Sequence, residues 1–217
     1  MQNKTEINIT GKLLQIAAKL ISYILHPLFI PVYFFLFLVY QFPYEFTVSM
    51  AFELKLKLIS TFIMTAFFPA FAVFLLWRLN FIHSIFLKTQ KERIIPFFIT
   101  MFFYWWMYYL GRTMKDQPQM LKVFYFGIFI STAIGVIINN FIKISLHGIA
   151  MGSAMMAVIL CSFFYHTPLT EAISIITVLT GVVCTARFIV SNHTNEEVYT
   201  GVFVGIICQI LAYWFVL

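Results

Sequence analysis

Charged residues are scarce in this sequence, and their scarcity excludes most classes of soluble protein. Only 10% of the 217 residues are Asp, Glu, Lys or Arg, whereas 62% are hydrophobic and the mean hydropathy is +0.92. A typical soluble domain carries about 25% charged residues and a smaller apolar share. The composition therefore predicts a polytopic membrane protein without a separate soluble domain.

Three further absences narrow the class of protein to which this sequence can belong. The three cysteines, Cys161, Cys184 and Cys208, lie in apolar stretches and form no CxxC pair, so neither a disulfide framework nor a cysteine metal site is expected. The net charge is +6, but no basic run is interleaved with aromatic residues, which argues against nucleic acid and favours anionic lipid as a partner. Apolar residues do not alternate with a period of two, which argues against a membrane barrel.

Apolar stretches long enough to cross a bilayer recur along the chain. A span needs about 20 mostly apolar residues, and the stretches that qualify are 21–40, 57–78, 94–110, 122–142, 147–165, 169–189 and 198–217. The Tyr and Trp content of 94–110 suits an interface as well as a core, so both six and seven spans stay open. The sequence predicts an all-α, polytopic transmembrane helix bundle at residues 21–217, after an amphipathic interfacial segment at 1–20. Pro27 and Pro31 are expected to kink the first span.

The most informative polar window lies between the last two spans and contains Arg187, His193 and Glu197. His193 and Glu197 are four residues apart, so a helical turn brings the carboxylate within reach of the imidazole. Arg187 supplies forked donors suited to a phosphoryl group. A structural alternative is that Glu197 closes a capping box with Thr194 at the start of the last helix.

Polar residues also concentrate in two other connections on the same face. By parity of crossings, the connections between spans 2 and 3, 4 and 5, and 6 and 7 share one side of the membrane. The first two of these connections carry Lys88, Lys91 and Arg93, and Lys143, Ser145 and His147. We therefore expect a single polar site at this face.

The window around Arg187 resembles the third motif of the type-2 phosphatidic acid phosphatase superfamily, S-R-x5-H-x3-D. Arg187 and His193 keep the motif spacing, Ala186 replaces the serine, and Glu197 stands at the position of the aspartate. The glycines that follow in EVYTGVFVG also resemble the helix that succeeds this motif.

The other two motifs of that superfamily, P-S-G-H and K-x6-R-P, are matched less closely. Ser145 and His147 keep the serine and the histidine of the first of these, with Ile144 and Leu146 in place of proline and glycine. The residues that correspond to K-x6-R-P are of the right types, but their spacing differs from that of the motif. Lys88, Lys91 and Arg93 therefore all stay candidates for contact with phosphate.

The resemblance implies a membrane phosphatase that acts on a lipid or polyprenyl phosphate. His193, held by Glu197, would attack phosphorus and form a phosphohistidine, and His147 would protonate the leaving oxygen. The phosphate would be bound by Arg187, Ser145, Lys91 and Arg93. The resemblance implies no metal or other cofactor, and membrane lipids are the expected surroundings.

Two hypotheses from other classes stay open. His147, His193 and Glu197 are ordinary ligand types for a metal or haem, and a non-catalytic protein that binds or transports lipid would explain the departures from the motifs. Ser145 could instead serve as the cap of a helix, and the basic loop could set the orientation of the chain in the membrane. His26, His83 and His166 are assigned structural roles.

The expected location is the cell membrane, which in a bacterium is the inner membrane. The motif side, with the N-terminal tail, holds nine Lys and Arg against five on the other side, which favours a cytoplasmic site. The resemblance favours a site that faces away from the cytoplasm. Sidedness therefore stays open.

Overall fold

The computed structural model describes residues 2–46, 51–87, 89–114, 116–190 and 193–217, with side chains from residue 11 onward. Every regular element within these ranges is helical, which confirms the all-α prediction. The helices are α1 (Gln2–Ile24), α2 (Ile30–Gln41), α3 (Ala51–Phe62), α4 (Phe68–Arg78), α5 (Gln90–Thr113), α6 (Gln119–Asn139), α7 (Leu146–Phe164), α8 (Thr170–Val190) and α9 (Asn195–Val216).

Seven stretches within the described ranges are helical, long and apolar enough to cross a membrane. They are Gly11–Gln41, Ala51–Arg78, Gln90–Thr113, Gln119–Asn139, Leu146–Phe164, Thr170–Val190 and Asn195–Val216. The count is therefore seven, and the aromatic stretch predicted at 94–110 is the inner part of the unbroken helix α5. The chain is a multi-pass membrane protein built as one helical bundle.

The first stretch is broken where the sequence predicts a kink. His26 has an extended backbone, with φ −68° and ψ 139°, and a 3-10 turn at Pro27–Phe29 joins α1 to α2. A residue before proline is driven out of the helical region, which explains the break. Pro31, by contrast, lies in the first turn of α2, where a missing N–H does no harm, so the kink expected there is absent.

The N-terminal segment predicted to lie at the membrane surface belongs to α1. That helix packs against α8, and Ala18 in α1 is buried. Farther along, a π-helical turn at Ile63–Phe67 joins α3 and α4 directly before Pro69. Proline removes a backbone donor from the helix, which accounts for the local change of hydrogen bonding.

The most extensive contact between two helices is that of α7 with α9, which run in parallel. The contact is lined by glycines at a four-residue spacing: Gly148 and Gly152 on α7, Gly201 and Gly205 on α9. A Cβ atom at Gly148 would lie 2.6 Å from the carbonyl oxygen of Val198. Small residues allow membrane helices to approach backbone to backbone, and here they bring the N-terminal ends of α7 and α9 together.

We expect Gly152→Ala to destabilise the bundle, because its Cβ would overlap the Val202 carbonyl, which is backbone and cannot rotate away. The overpacking should cost about 1–3 kcal/mol and lower the midpoint of thermal unfolding in detergent. Gly181→Ala is the matched control, since nothing lies within 4 Å of a Cβ there and the residue is exposed on α8. Equal midpoints for the two variants would contradict the close packing of α7 and α9.

Candidate functional site

A cavity of about 910 Å³ lies where the three polar connections meet. Leu87, Lys143 and His193 represent these connections on its wall, so the convergence predicted from parity is confirmed. The ionisable side chains of the lining are Lys19, His26, Arg93, Lys143, His147, Arg187 and His193, with Tyr23 and Tyr104. No Asp or Glu belongs to the lining among the described residues. The charged end of the cavity is therefore suited to an anion.

His193 is oriented by Glu197, as the four-residue spacing predicts. The Nδ1 atom of His193 lies 2.7 Å from Oε2 of Glu197, and the His193 side chain is only 2% exposed. A carboxylate accepts hydrogen bonds, so Nδ1 carries the proton and donates it. The hydrogen-bonding pattern assigns this tautomer, which leaves Nε2 of the neutral ring with its lone pair available.

Glu197 also forms the capping box that the sequence allowed as an alternative. Its backbone N–H donates to Oγ1 of Thr194 at 3.3 Å, and its Oε2 accepts from the Thr194 N–H at 3.3 Å. One carboxylate oxygen thus serves the start of α9 and the imidazole of His193. Glu197 therefore makes the capping contacts and the contact with His193 at the same time.

Burial lowers the pKa of His193 below its ordinary value. The hydrogen bond to Glu197 acts in the opposite direction and raises that pKa, while the nearby cations Arg93 and Arg187 lower it further. A charged imidazole is disfavoured in a dry site beside other cations. The neutral form, which has the free lone pair, therefore persists to lower pH than in an unperturbed histidine.

Arg93 is the buried cation of the site, at 7% exposure. Its Nε donates to the Leu87 carbonyl at 2.9 Å, and one terminal nitrogen donates to the Ile144 carbonyl at 3.0 Å. These bonds join two connections and fix the guanidinium at the cavity wall. Arg187 lines the same cavity from the last turn of α8.

The other two candidates near the first basic connection differ from Arg93. Lys91 is exposed and is not part of the cavity lining, and Lys88 lies outside the described residues. Of the two described candidates, only Arg93 reaches the wall. The reason is helical phase, because Arg93 lies two positions beyond Lys91 and so projects from another side of α5.

The structure places Ser145 in a helix cap rather than on the cavity wall. Its side chain is fully buried, and Oγ accepts from the Gly148 N–H at 3.3 Å at the start of α7. Its own N–H donates to the Glu197 carbonyl at 3.0 Å. The phosphate contact predicted for Ser145 finds no support in this geometry, and the residue instead connects α7 to α9.

His147 lines the cavity and is held by a residue of the first helix. Its Nε2 lies 3.0 Å from the Ser22 carbonyl oxygen. A carbonyl oxygen only accepts, so Nε2 carries a proton and Nδ1 is the nitrogen that can exchange one. Sequence reasoning did not find this partner, because the two residues are 125 positions apart.

Three basic residues of the lining, Lys19, His26 and Lys143, are absent from the catalytic and phosphate-binding residues expected from the sequence. His26, assigned a structural role, has its ring centroid 5.4 Å from that of His147 at an interplanar angle of 82°. Lys143 also lines the cavity, and burial, followed by the charge of Arg93, lowers its pKa. The break at His26-Pro27 was the one sequence signal that could have drawn attention to His26.

The lining of the cavity is also apolar in part. It includes Pro31 of α2, Phe74 of α4, Phe97 of α5, Ile128 of α6 and Ile149 of α7. A lining that combines cations with apolar side chains suits an amphiphile that has an anionic head and a hydrocarbon tail.

The metal hypothesis does not fit the donor set. Within the described ranges, no group of three or more His, Cys, Asp or Glu lies close enough to hold a metal ion. Nε2 of His147 bonds to the Ser22 carbonyl, and Oε2 of Glu197 bonds to His193. Cations on the same wall would also repel a divalent metal.

The chain has no match among the known proteins with which it was compared: no family model, curated protein or solved structure matches it.

We expect Glu197→Gln to separate the two roles of this side chain. Glutamine can also accept from the Thr194 N–H, so the free energy of unfolding should change by less than about 0.5 kcal/mol. The same amide oxygen can accept from Nδ1 of His193, but it lacks the negative charge of the carboxylate, which raises the pKa of His193, so that pKa should fall further in the variant. A pH titration by NMR with ¹⁵N-labelled histidine and a thermal unfolding curve measure the two effects.

Glu196→Gln is the matched control, since Glu196 lies in the same helical turn but is exposed. It should change neither quantity. A Glu197→Gln protein with an unchanged His193 pKa would show that the charge of the carboxylate does not act on His193.

Proposed function

We propose that the protein is a membrane phosphatase that hydrolyses a phosphomonoester or diphosphate on a lipid or polyprenyl substrate through a phosphohistidine on His193. The observation that supports this proposal most directly is the 2.7 Å hydrogen bond between Nδ1 of His193 and Oε2 of Glu197. The His193 ring lines a cavity whose wall also carries cations. A carboxylate that holds one ring nitrogen leaves the other as the nucleophile, which is how buried histidines are oriented in catalysis.

The shape and charge of the cavity support this class of substrate. Arg93, Lys143 and Arg187 can neutralise a phosphate, and the apolar side chains of the same lining can hold the first part of a lipid or isoprenoid chain. The volume of about 910 Å³ lies in the range of small-molecule sites. The seven spans place the chain where such substrates dissolve, and we propose the cell membrane as its location.

In the first step, the Nε2 lone pair of His193 attacks phosphorus and the bond from phosphorus to the leaving oxygen breaks. The imidazole becomes positively charged, and the Glu197 carboxylate stabilises that charge through Nδ1–H. Arg93 and Arg187 bind the non-bridging oxygens, whose charge must be stabilised in the transition state. The two carbonyl partners of Arg93 hold it in place before substrate arrives.

His147 carries the proton in both steps. Protonated at Nδ1, it gives that proton to the leaving oxygen, and it later takes a proton from the water that breaks the P–N bond. Its Nε2–H stays bonded to the Ser22 carbonyl throughout. The ring can therefore gain and lose a proton at Nδ1 without turning.

We expect the purified protein to release phosphate from a member of a panel comprising phosphatidic acid, phosphatidylglycerol phosphate, polyprenyl phosphate and polyprenyl diphosphate. His193→Ala should lower turnover at least about 10³-fold, since nothing replaces a positioned nucleophile. His147→Ala should accumulate an acid-labile phosphoenzyme with an activated substrate. Phosphate release and labelling with ³²P substrate measure both effects.

His83→Ala is the control for these variants, because His83 is exposed and does not belong to the cavity lining. Wild-type turnover by His193→Ala would overturn the mechanism. Loss of activity on chelation with recovery on adding zinc would favour the metal hypothesis, and lipid binding without phosphate release would favour a binding or transport protein.

The acid side of the pH profile should lie at unusually low pH. Attack requires neutral His193, and burial lowers its pKa, so the lone pair is lost only when the pH falls through this lowered value. The acid limb of kcat/KM should therefore lie below that of an unperturbed histidine. An acid limb at or above the ordinary histidine range would contradict a buried neutral nucleophile.

A further inference from the structure

The proton assignments of the two neighbouring imidazoles leave one donor unused. His147 gives its Nε2–H to the Ser22 carbonyl, so this proton points to the protein backbone. Its exchangeable nitrogen, Nδ1, can move a proton but is a bare acceptor in the neutral ring. A phosphoryl oxygen therefore receives no permanent hydrogen bond from neutral His147.

His26 has the complementary arrangement. Its Nδ1 accepts a hydrogen bond from the Leu28 N–H at 3.3 Å, so that nitrogen carries no proton. The neutral ring must then carry its proton on Nε2. The ring lines the cavity beside His147, and no described residue accepts a hydrogen bond from Nε2.

The environment keeps His26 a neutral donor rather than an acid. Protonation would place N–H groups of His26 and Leu28 against each other, and it would add a positive charge to a wall that already carries Arg187. A neutral imidazole N–H can stabilise developing negative charge without transferring its proton. The extended backbone of His26 before Pro27 holds the ring at this place.

We propose that His26 is a further catalytic residue, whose Nε2–H donates a hydrogen bond to an oxygen of the bound phosphoryl group. The proposal rests on the phosphatase function above. In the attack by His193, negative charge builds on the phosphoryl and leaving oxygens, and His26 stabilises it together with Arg93 and Arg187. His147 remains the residue that transfers the proton.

Two substitutions at His26 separate this role from a structural one. Asparagine places Oδ1 where Nδ1 of His26 lies, so His26→Asn keeps the acceptor for the Leu28 N–H and suits a residue before proline. It lacks the distant donor. Glutamine has an N–H at about the reach of Nε2, so His26→Gln keeps the donor and loses the acceptor.

We expect the two variants to show opposite defects. His26→Asn should keep the wild-type midpoint of thermal unfolding and lose about 10²–10³-fold in kcat, the usual loss for one donor to a developing oxyanion. His26→Gln should melt at a lower temperature than wild type but turn over faster than His26→Asn. A purely structural His26 predicts the reverse order of activities, and that order would overturn the proposal.

Binding of orthovanadate, which can adopt the geometry of a phosphoryl group in transfer, tests the role of His26 whether or not a substrate is found. Calorimetry on the full-length protein in detergent should show weaker binding by His26→Asn than by wild type, by about tenfold, and unchanged binding by His83→Ala. If wild type releases phosphate from no member of the panel, the proposed function fails, and the vanadate comparison still decides the role of His26. Equal vanadate affinity for wild type and His26→Asn would overturn the inference alone.

Discussion

The backbone-to-backbone contact between α7 and α9 is the constraint on which the site depends. Glycines at a four-residue spacing on both helices let the chains approach until the Ser145 N–H bonds to the Glu197 carbonyl at 3.0 Å. That bond joins the turn that presents His147 to the turn that orients His193. Larger side chains in the contact would separate the two imidazoles, because helix packing in membranes relies on close van der Waals contact rather than on the hydrophobic effect.

Glu197 makes contacts with α7, with the start of α9 and with His193. Its carbonyl fastens α7, and its carboxylate caps α9 and holds His193. Stability of the helix ends and orientation of the His193 imidazole are thus coupled through a single residue.

The described wall of the cavity carries basic side chains and no Asp or Glu. Buried cations are costly in a membrane bundle unless they have partners or a function. Arg93 obtains carbonyl partners from two connections, and no described carboxylate shares the cavity wall with the cations. The wall of the cavity is therefore positively charged over the described residues, and the Glu197 carboxylate binds the His193 imidazole without itself joining the lining.

Local spacing determined much of what could be predicted from the sequence. The pair His193 and Glu197 follows from one helical turn, the apolar stretches that could span the membrane follow from the length that a bilayer imposes, and the shared face of three connections follows from parity. Each of these depends on residues close in the chain or on a count of crossings. They were accessible without knowledge of packing.

The tertiary structure alone decided which side chains face the cavity. It brought the Ser22 carbonyl and His26 to His147, buried Ser145 in a cap, and left Lys91 exposed while Arg93 entered the wall. Such outcomes depend on how each helix is rotated against neighbours that are distant in sequence, and spacing along one chain segment carries no information about that rotation. The sequence by itself therefore determined the class, the candidate spans and the His193–Glu197 pair, whereas the structure decided that the spans number seven, and helix packing determined the remaining members of the site.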